Sequence, residues 1–206
     1  SFASSAYELS QCQLKDTDEL KISASWNEST LNHYMYPTSG RSNLLGLDLG
    51  LPISDYGYFK INANHSSYTP LNENLTFKLS GDLGVAGRLG GKSLPFYKRF
   101  FGGGSGSVRG FGNRSLGPLY PNNEAKGGEL SVLGSLNLIA PAYLFGNADK
   151  MRMSAFIDAG NIFDKNSNLK LGDIRMSTGA GFAYLSPIGS IGMYWSTPIL
   201  KKSGDT

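Results

Sequence analysis

Along almost the whole chain, apolar and polar side chains alternate with a period of two, the pattern of a strand whose faces meet different surroundings. Leu20, Ile22, Ala24 and Trp26 fall on one face, with Lys21, Ser23, Ser25 and Asn27 on the other. The alternation returns in residues 45–51, 59–63, 75–85, 130–138, 151–157, 174–182 and 191–195. Eight strands of about ten residues are expected, with a turn at Pro70-Leu-Asn between the third and fourth. The polar faces carry charges, among them Asp48, Lys60, Lys78, Asp82 and Asp158. Long strands with one apolar and one wet face predict an antiparallel transmembrane β-barrel around a hydrated lumen, in preference to a soluble sandwich or calyx.

An antiparallel meander alternates its connections between two sides. A glycine-rich loop over residues 88–126 therefore shares a side with the polar stretch 161–172 and the tail after Pro198, while tighter turns such as residues 185–189 (Leu-Ser-Pro-Ile-Gly) lie opposite. Long loops on one side and short turns on the other make the long-loop side extracellular. Tyr184, Trp195 and Trp26, near strand ends, would suit an aromatic girdle.

Composition narrows this picture. No apolar run reaches the roughly 18 to 20 residues of a membrane helix, and the amino terminus has no basic-then-apolar signal segment, so membrane residence would be through strands. A formal net charge of +3 over 206 residues implies no nucleic-acid partner. Cys12, the single cysteine, excludes an internal disulfide framework and a cysteine-based zinc site.

Within the long loop, Arg99-Phe-Phe-Gly-Gly-Gly-Ser-Gly-Ser-Val-Arg-Gly-Phe111 sets one cation, Arg109, among glycines and aromatic anchors. Glycine accepts close backbone approach and positive φ, and Phe100, Phe101 and Phe111 have the apolar area to pin a folded-back loop. With Leu116-Gly-Pro118, this wording resembles the sixth loop of the BamA superfamily of outer-membrane insertases. Further stretches resemble that family in the same order: Tyr36-Pro-Thr-Ser-Gly-Arg41, Leu89-Gly-Gly-Lys-Ser-Leu-Pro-Phe-Tyr97, Phe156-Ile-Asp-Ala-Gly-Asn-Ile-Phe163, Ile174-Arg-Met-Ser-Thr-Gly and Thr197-Pro-Ile-Leu-Lys-Lys.

The resemblance implies that residues 1–206 are part of a sixteen-stranded barrel, about its eighth through fifteenth strands, with the periplasmic POTRA domains and the final strand absent. It implies that Val108, Arg109, Gly110 and Phe111 dock the loop inside the barrel, supported by Phe100, Phe101, Gly103 and Gly104. Two wall positions would hold Arg109: Asp158, and Asn137 where the family usually has Glu. The implied activity is folding and insertion of outer-membrane β-barrel proteins in the bacterial outer membrane. Nascent barrel proteins, Bam accessory lipoproteins and outer-membrane lipids would be the partners, and no cofactor, metal or catalytic residue is implied. A TamA-like or two-partner secretion pore is the nearest alternative; a passive porin is a more distant one.

Enzymatic readings fare poorly. Gly87-Arg-Leu-Gly-Gly-Lys-Ser93 is one residue short of a phosphate-binding loop and leads into Leu-Pro-Phe-Tyr rather than a helix. The two histidines read as structural: His65 has apolar-face parity and His33 lies in a Tyr/Pro turn, so an outer-membrane phospholipase lacks its base. Asp48, Asp82 and Asp158 are separated carboxylates suited to hydration and wall pairing. Glu129 shares the parity of Asn137 but lies far along its strand.

Overall fold

The computed structural model describes residues 19–52, 57–90, 94–142, 150–164, 171–186 and 189–202. Eight antiparallel strands form one sheet in chain order: β1 (Lys21–Ser29), β2 (Gly40–Gly50), β3 (Tyr58–Asn72), β4 (Leu75–Arg88), β5 (Leu130–Pro141), β6 (Met151–Phe163), β7 (Arg175–Ser186) and β8 (Gly189–Leu200). Among the described residues, single 3-10 turns at Phe96–Lys98 and Leu171–Asp173 lie in the connections. β1 and β8 end the order and do not pair with one another, so the sheet is not closed.

Register carries the alternation from strand to strand. Trp26 faces Leu45, Leu45 faces Ala63, Ala63 faces Leu83 and Leu83 faces Val132, which puts one apolar face across five strands. Ile22, Trp26, Leu45, Ile61, Leu83, Leu136, Ile157, Met193 and Trp195 on that outer face are all exposed. Exposed apolar area this continuous is untenable in water and belongs against hydrocarbon, as on the outside of a membrane barrel. The opposite, inner face carries the polar residues and receives the long loop.

Three expectations are corrected. The turn lies at Glu73 and Asn74, because β3 continues to Asn72 with a register shift between Pro70 and Asn72. Proline has no N–H for the ladder, so it forces the irregularity without ending the strand. The chain reverses where the Asn74 amide donates to Asn72 Oδ1 at 2.9 Å, a side-chain mimic of a turn. Secondly, the side opposite the long loop is not all tight turns, since residues 30–39 form a ten-residue connection there. Thirdly, Trp26 and Trp195 lie well inside β1 and β8; only Tyr184 is near a strand end. Cys12, residues 91–93 of the phosphate-loop lookalike and residues 187 and 188 of the Leu-Ser-Pro-Ile-Gly turn lie outside the described residues.

Candidate functional site: the Arg109 loop and its wall

The connection from β4 to β5, described over residues 89–90 and 94–129, folds back over the inner face and rejoins the sheet at β5. The base of the loop is anchored where Phe100 and Gly128 exchange backbone hydrogen bonds of 2.8 and 2.9 Å. The Phe100 ring packs on the cluster of Tyr58, Ala86 and Leu94 and lies 4.3 Å beneath the Lys60 ammonium. Phe101 lies 3.8 Å from the Arg114 guanidinium carbon. Cations over aromatic faces contribute roughly 0.5 to 2 kcal/mol each, more where water is excluded.

Further in, the loop makes its own hairpin. The Leu116 amide donates to Gly102 O and the Gly104 amide to Phe111 O, both at 3.0 Å, while the Gly103 amide donates to Ser107 Oγ at 2.6 Å. Gly103, Gly104 and Gly110 have φ of 101°, 86° and 90°, a region that L side chains enter only with strain. The hairpin presents Val108, Phe111 and Leu116 as a buried cluster against Leu133 of β5. Apolar burial therefore holds the hairpin on β5 independently of any charge.

Arg109 projects from this hairpin into the wall. Its Nε donates to Asp158 Oδ2 and its Nη2 to Asp158 Oδ1, both at 2.7 Å, the two-point geometry in which guanidinium and carboxylate match best. The Arg109 backbone amide donates to the same Asp158 Oδ2 at 3.1 Å. Nη2 also reaches Asn137 Oδ1 at 3.1 Å and Ser135 Oγ at 3.2 Å. The guanidinium carbon lies 3.3 Å from the centroid of the Phe156 ring. Asp158 is fully buried and the Arg109 side chain is 18% exposed, so the pair is well shielded from solvent.

The structure thus brings together Arg109, Asp158 and Asn137. It adds Ser135, which donates to Asp158 Oδ1 at 2.5 Å and accepts from Asn137 Nδ2 at 2.9 Å. It also adds Phe156, whose ring occupies space above Gly179, where a Cβ would lie 2.6 Å from Phe156 Cζ. Glu129 stands apart, its amide bonded to Phe163 O beyond the end of β5. Phe156, Leu133 and Ile162 have polar-face parity, and a large apolar residue at such a position is the sequence signal for a wall that something covers.

A second anchor ties the loop to Glu19, just before β1, and to the first residue of β3. Tyr58 Oη and Lys98 Nζ both donate to Glu19 Oε1, at 2.6 and 2.7 Å. The hydrogen bonds from Lys98 and then Tyr58 hold the Glu19 carboxyl below its ordinary value. His65 Nδ1 lies 2.6 Å from Asn43 Oδ1, and His33 is exposed in the 30–39 connection. No group of three or more potential metal ligands occurs among the described residues. Chemically, the Arg109 site is an ionic latch that holds a backbone path.

The sequence profile described as the Omp85 superfamily domain matches residues 2–206. The outer membrane protein assembly factor BamA of Neisseria meningitidis is 29% identical, over 90% of this chain and 27% of its own length. A SAM50-like protein of Schizosaccharomyces pombe is 26% identical, over 94% of this chain and 43% of its own. The fold is similar to the crystal structure of Haemophilus ducreyi BamA lacking POTRA domains 1–3, with a TM-score of 0.80 and 33% identity, over 90% of this chain and 40% of that one. The chain therefore spans between about a quarter and under half the length of these relatives.

Proposed function

The chain belongs to the Omp85 superfamily, and from that premise we propose that it is part of the barrel wall, with its lumen-docked loop, of a protein that folds and inserts β-barrel proteins into the bacterial outer membrane. The observation that carries this reading is the shielded Arg109 to Asp158 latch on an inner face whose outer side is continuously apolar.

The physical problem such a protein solves is one of unpaired backbone. A client strand cannot enter hydrocarbon with free N–H and C=O groups, each of which costs several kcal/mol. A barrel that offers a strand edge supplies partners as the client enters, and a locally thinned bilayer shortens the distance to be crossed. This activity needs no covalent step, nucleotide or metal. The contribution of the present strands in this reading is wall: seven antiparallel ladders joined in chain order, away from the edge that exchanges partners. The latch keeps the hairpin of residues 102–116 in the lumen so that the loop braces that wall.

Nascent outer-membrane barrel proteins are the clients in this reading, and Bam-type accessory lipoproteins and outer-membrane lipids the surroundings. Depleting the full-length parent in its host and quantifying all outer-membrane proteins tests it. A broad fall in integrated barrels, with unfolded precursors in the periplasm, is expected. Loss of a single exported protein would instead assign the chain to a dedicated secretion pore.

A further inference from the structure

We propose that residues 30–39 form a second constriction of the lumen, a floor at the end opposite the mouth from which the Arg109 loop enters. The inference rests on the barrel-wall reading above and is independent of insertion activity.

The segment is built to hold a shape. Asn32 Oδ1 accepts from the amides of Thr38 and Ser39 at 3.0 and 3.1 Å, and its Nδ2 donates to Thr38 Oγ1 at 2.8 Å. The Asn32 amide donates to Ser39 O and the Thr30 amide to Arg41 O, which closes the base. An asparagine whose side chain binds two backbone amides fixes a loop as a helix cap fixes a first turn.

Its tip does not point away from the barrel. Tyr36 Oη donates to Lys150 O at 3.3 Å, just before β6, and the Arg152 guanidinium carbon lies 4.6 Å from the Tyr36 ring centroid. From β2 to β6 there are four strand spacings, roughly 19 Å along the sheet. Tyr36 therefore crosses the inner space rather than following the wall. Between this tip and the wall is a cavity of about 260 Å³, to which Tyr68, Lys78, Asn137, Arg152 and Ser154 all contribute from inner-face positions. Above it lies a second cavity of about 380 Å³, under the Arg109 hairpin, and Lys78 and Asn137 line both. The two loops thus approach one another from opposite ends, with a thin shared layer of side chains between the spaces they enclose.

Two constrictions in series limit flow differently from one. Opening either leaves the other as the larger resistance, so each single change has a small effect and the combination a large one. The full-length parent in planar bilayers tests this through ion conductance of Arg109→Ala, of Tyr36→Ala with Arg152→Ala, and of all three together. The expected result is a rise for the combination greater than the product of the separate rises. A combination that conducts no better than Arg109→Ala alone, while retaining the heat-modifiable mobility of a folded barrel, would overturn the floor. Should the Tyr36 variant fail to fold, Pro37→Cys with Ser154→Cys in a Cys12→Ser background addresses the same geometry with Tyr36 and Arg152 intact. A short thiol-to-thiol linker joins the pair if the tip sits over β6, and folded protein that cannot be linked overturns the proposal.

Discussion

The two halves of the sheet use the same alternation to different ends. On β5 and β6 the inner face is covered by the docked loop, and the charge pair there, Arg109 with Asp158, is 18% and 0% exposed. On β1 and β2 the inner face is open, and Lys21 with Asp48 sits 3.7 Å apart with side chains 42% and 35% exposed. The charges are of the same kind; the surroundings differ. Breaking a shielded pair leaves a charge with little water to replace its partner, least of all at Asp158, whereas an exposed pair exchanges one partner for solvent. A covered wall acquires a latch, and an uncovered wall acquires hydration.

The largest effect should come from removing one side of the shielded pair. Asp158→Ala or Arg109→Ala in the full-length parent is expected to weaken docking by about 3 to 5 kcal/mol, read as new protease cleavage within residues 89–129. Protection equal to the native protein in both variants would erase the contrast between the halves. Next comes the backbone path: Gly103→Ala places a Cβ 2.3 Å from Gly112 O at φ 101°. Positive φ alone should cost about 1 to 2 kcal/mol, seen as faster amide exchange across the hairpin with the latch residues untouched.

Asn137→Glu sharpens the comparison in the other direction. It replaces a neutral acceptor at Nη2 with a charged one, and docking should tighten by about 1 kcal/mol, measured as slower proteolysis; faster proteolysis would mean that a second carboxylate crowds Asp158. On the open half, Lys21→Ala should change stability by less than about 1 kcal/mol in thermal unfolding, and a larger loss would mean that this wall too is shielded. The smallest effect is that of acid. Glu19 is held below its ordinary value of 4.5 by Lys98 and Tyr58, so its contribution is present above that value and lost as pH falls through the lower, folded one. Acidification below 4.5 should loosen the loop base, and Glu19→Gln should remove that part of the pH dependence.

Much of this was legible in the residues. Period-two alternation located all eight strands because each has one face in lipid and one in water, and the Val-Arg-Gly-Phe wording pointed to Asp158 and Asn137. Less visible were Ser135 and Phe156, because alternation assigns a face but does not say what will lie upon it. Gly179 carries no signal by itself; its role exists only opposite Phe156 on the neighbouring strand. The course of residues 30–39 was hidden for a similar reason. A Tyr-Pro turn reads as local, and its distant partner, the Lys150 carbonyl, is a backbone atom that any residue would supply.

That hydrogen bond has a mechanical meaning. A curved sheet is an arch, and a link between two separated points of one rim is its tie-rod. From Tyr36 to the start of β6 the tie spans β3, β4 and β5, so that rim cannot spread without stretching it. The Arg109 latch, by contrast, grips the wall midway along β5 and β6 and ties no rim. The tie thus resists spreading at its own end of the wall, and severing it should let that rim spread while the Arg109 latch still holds the loop.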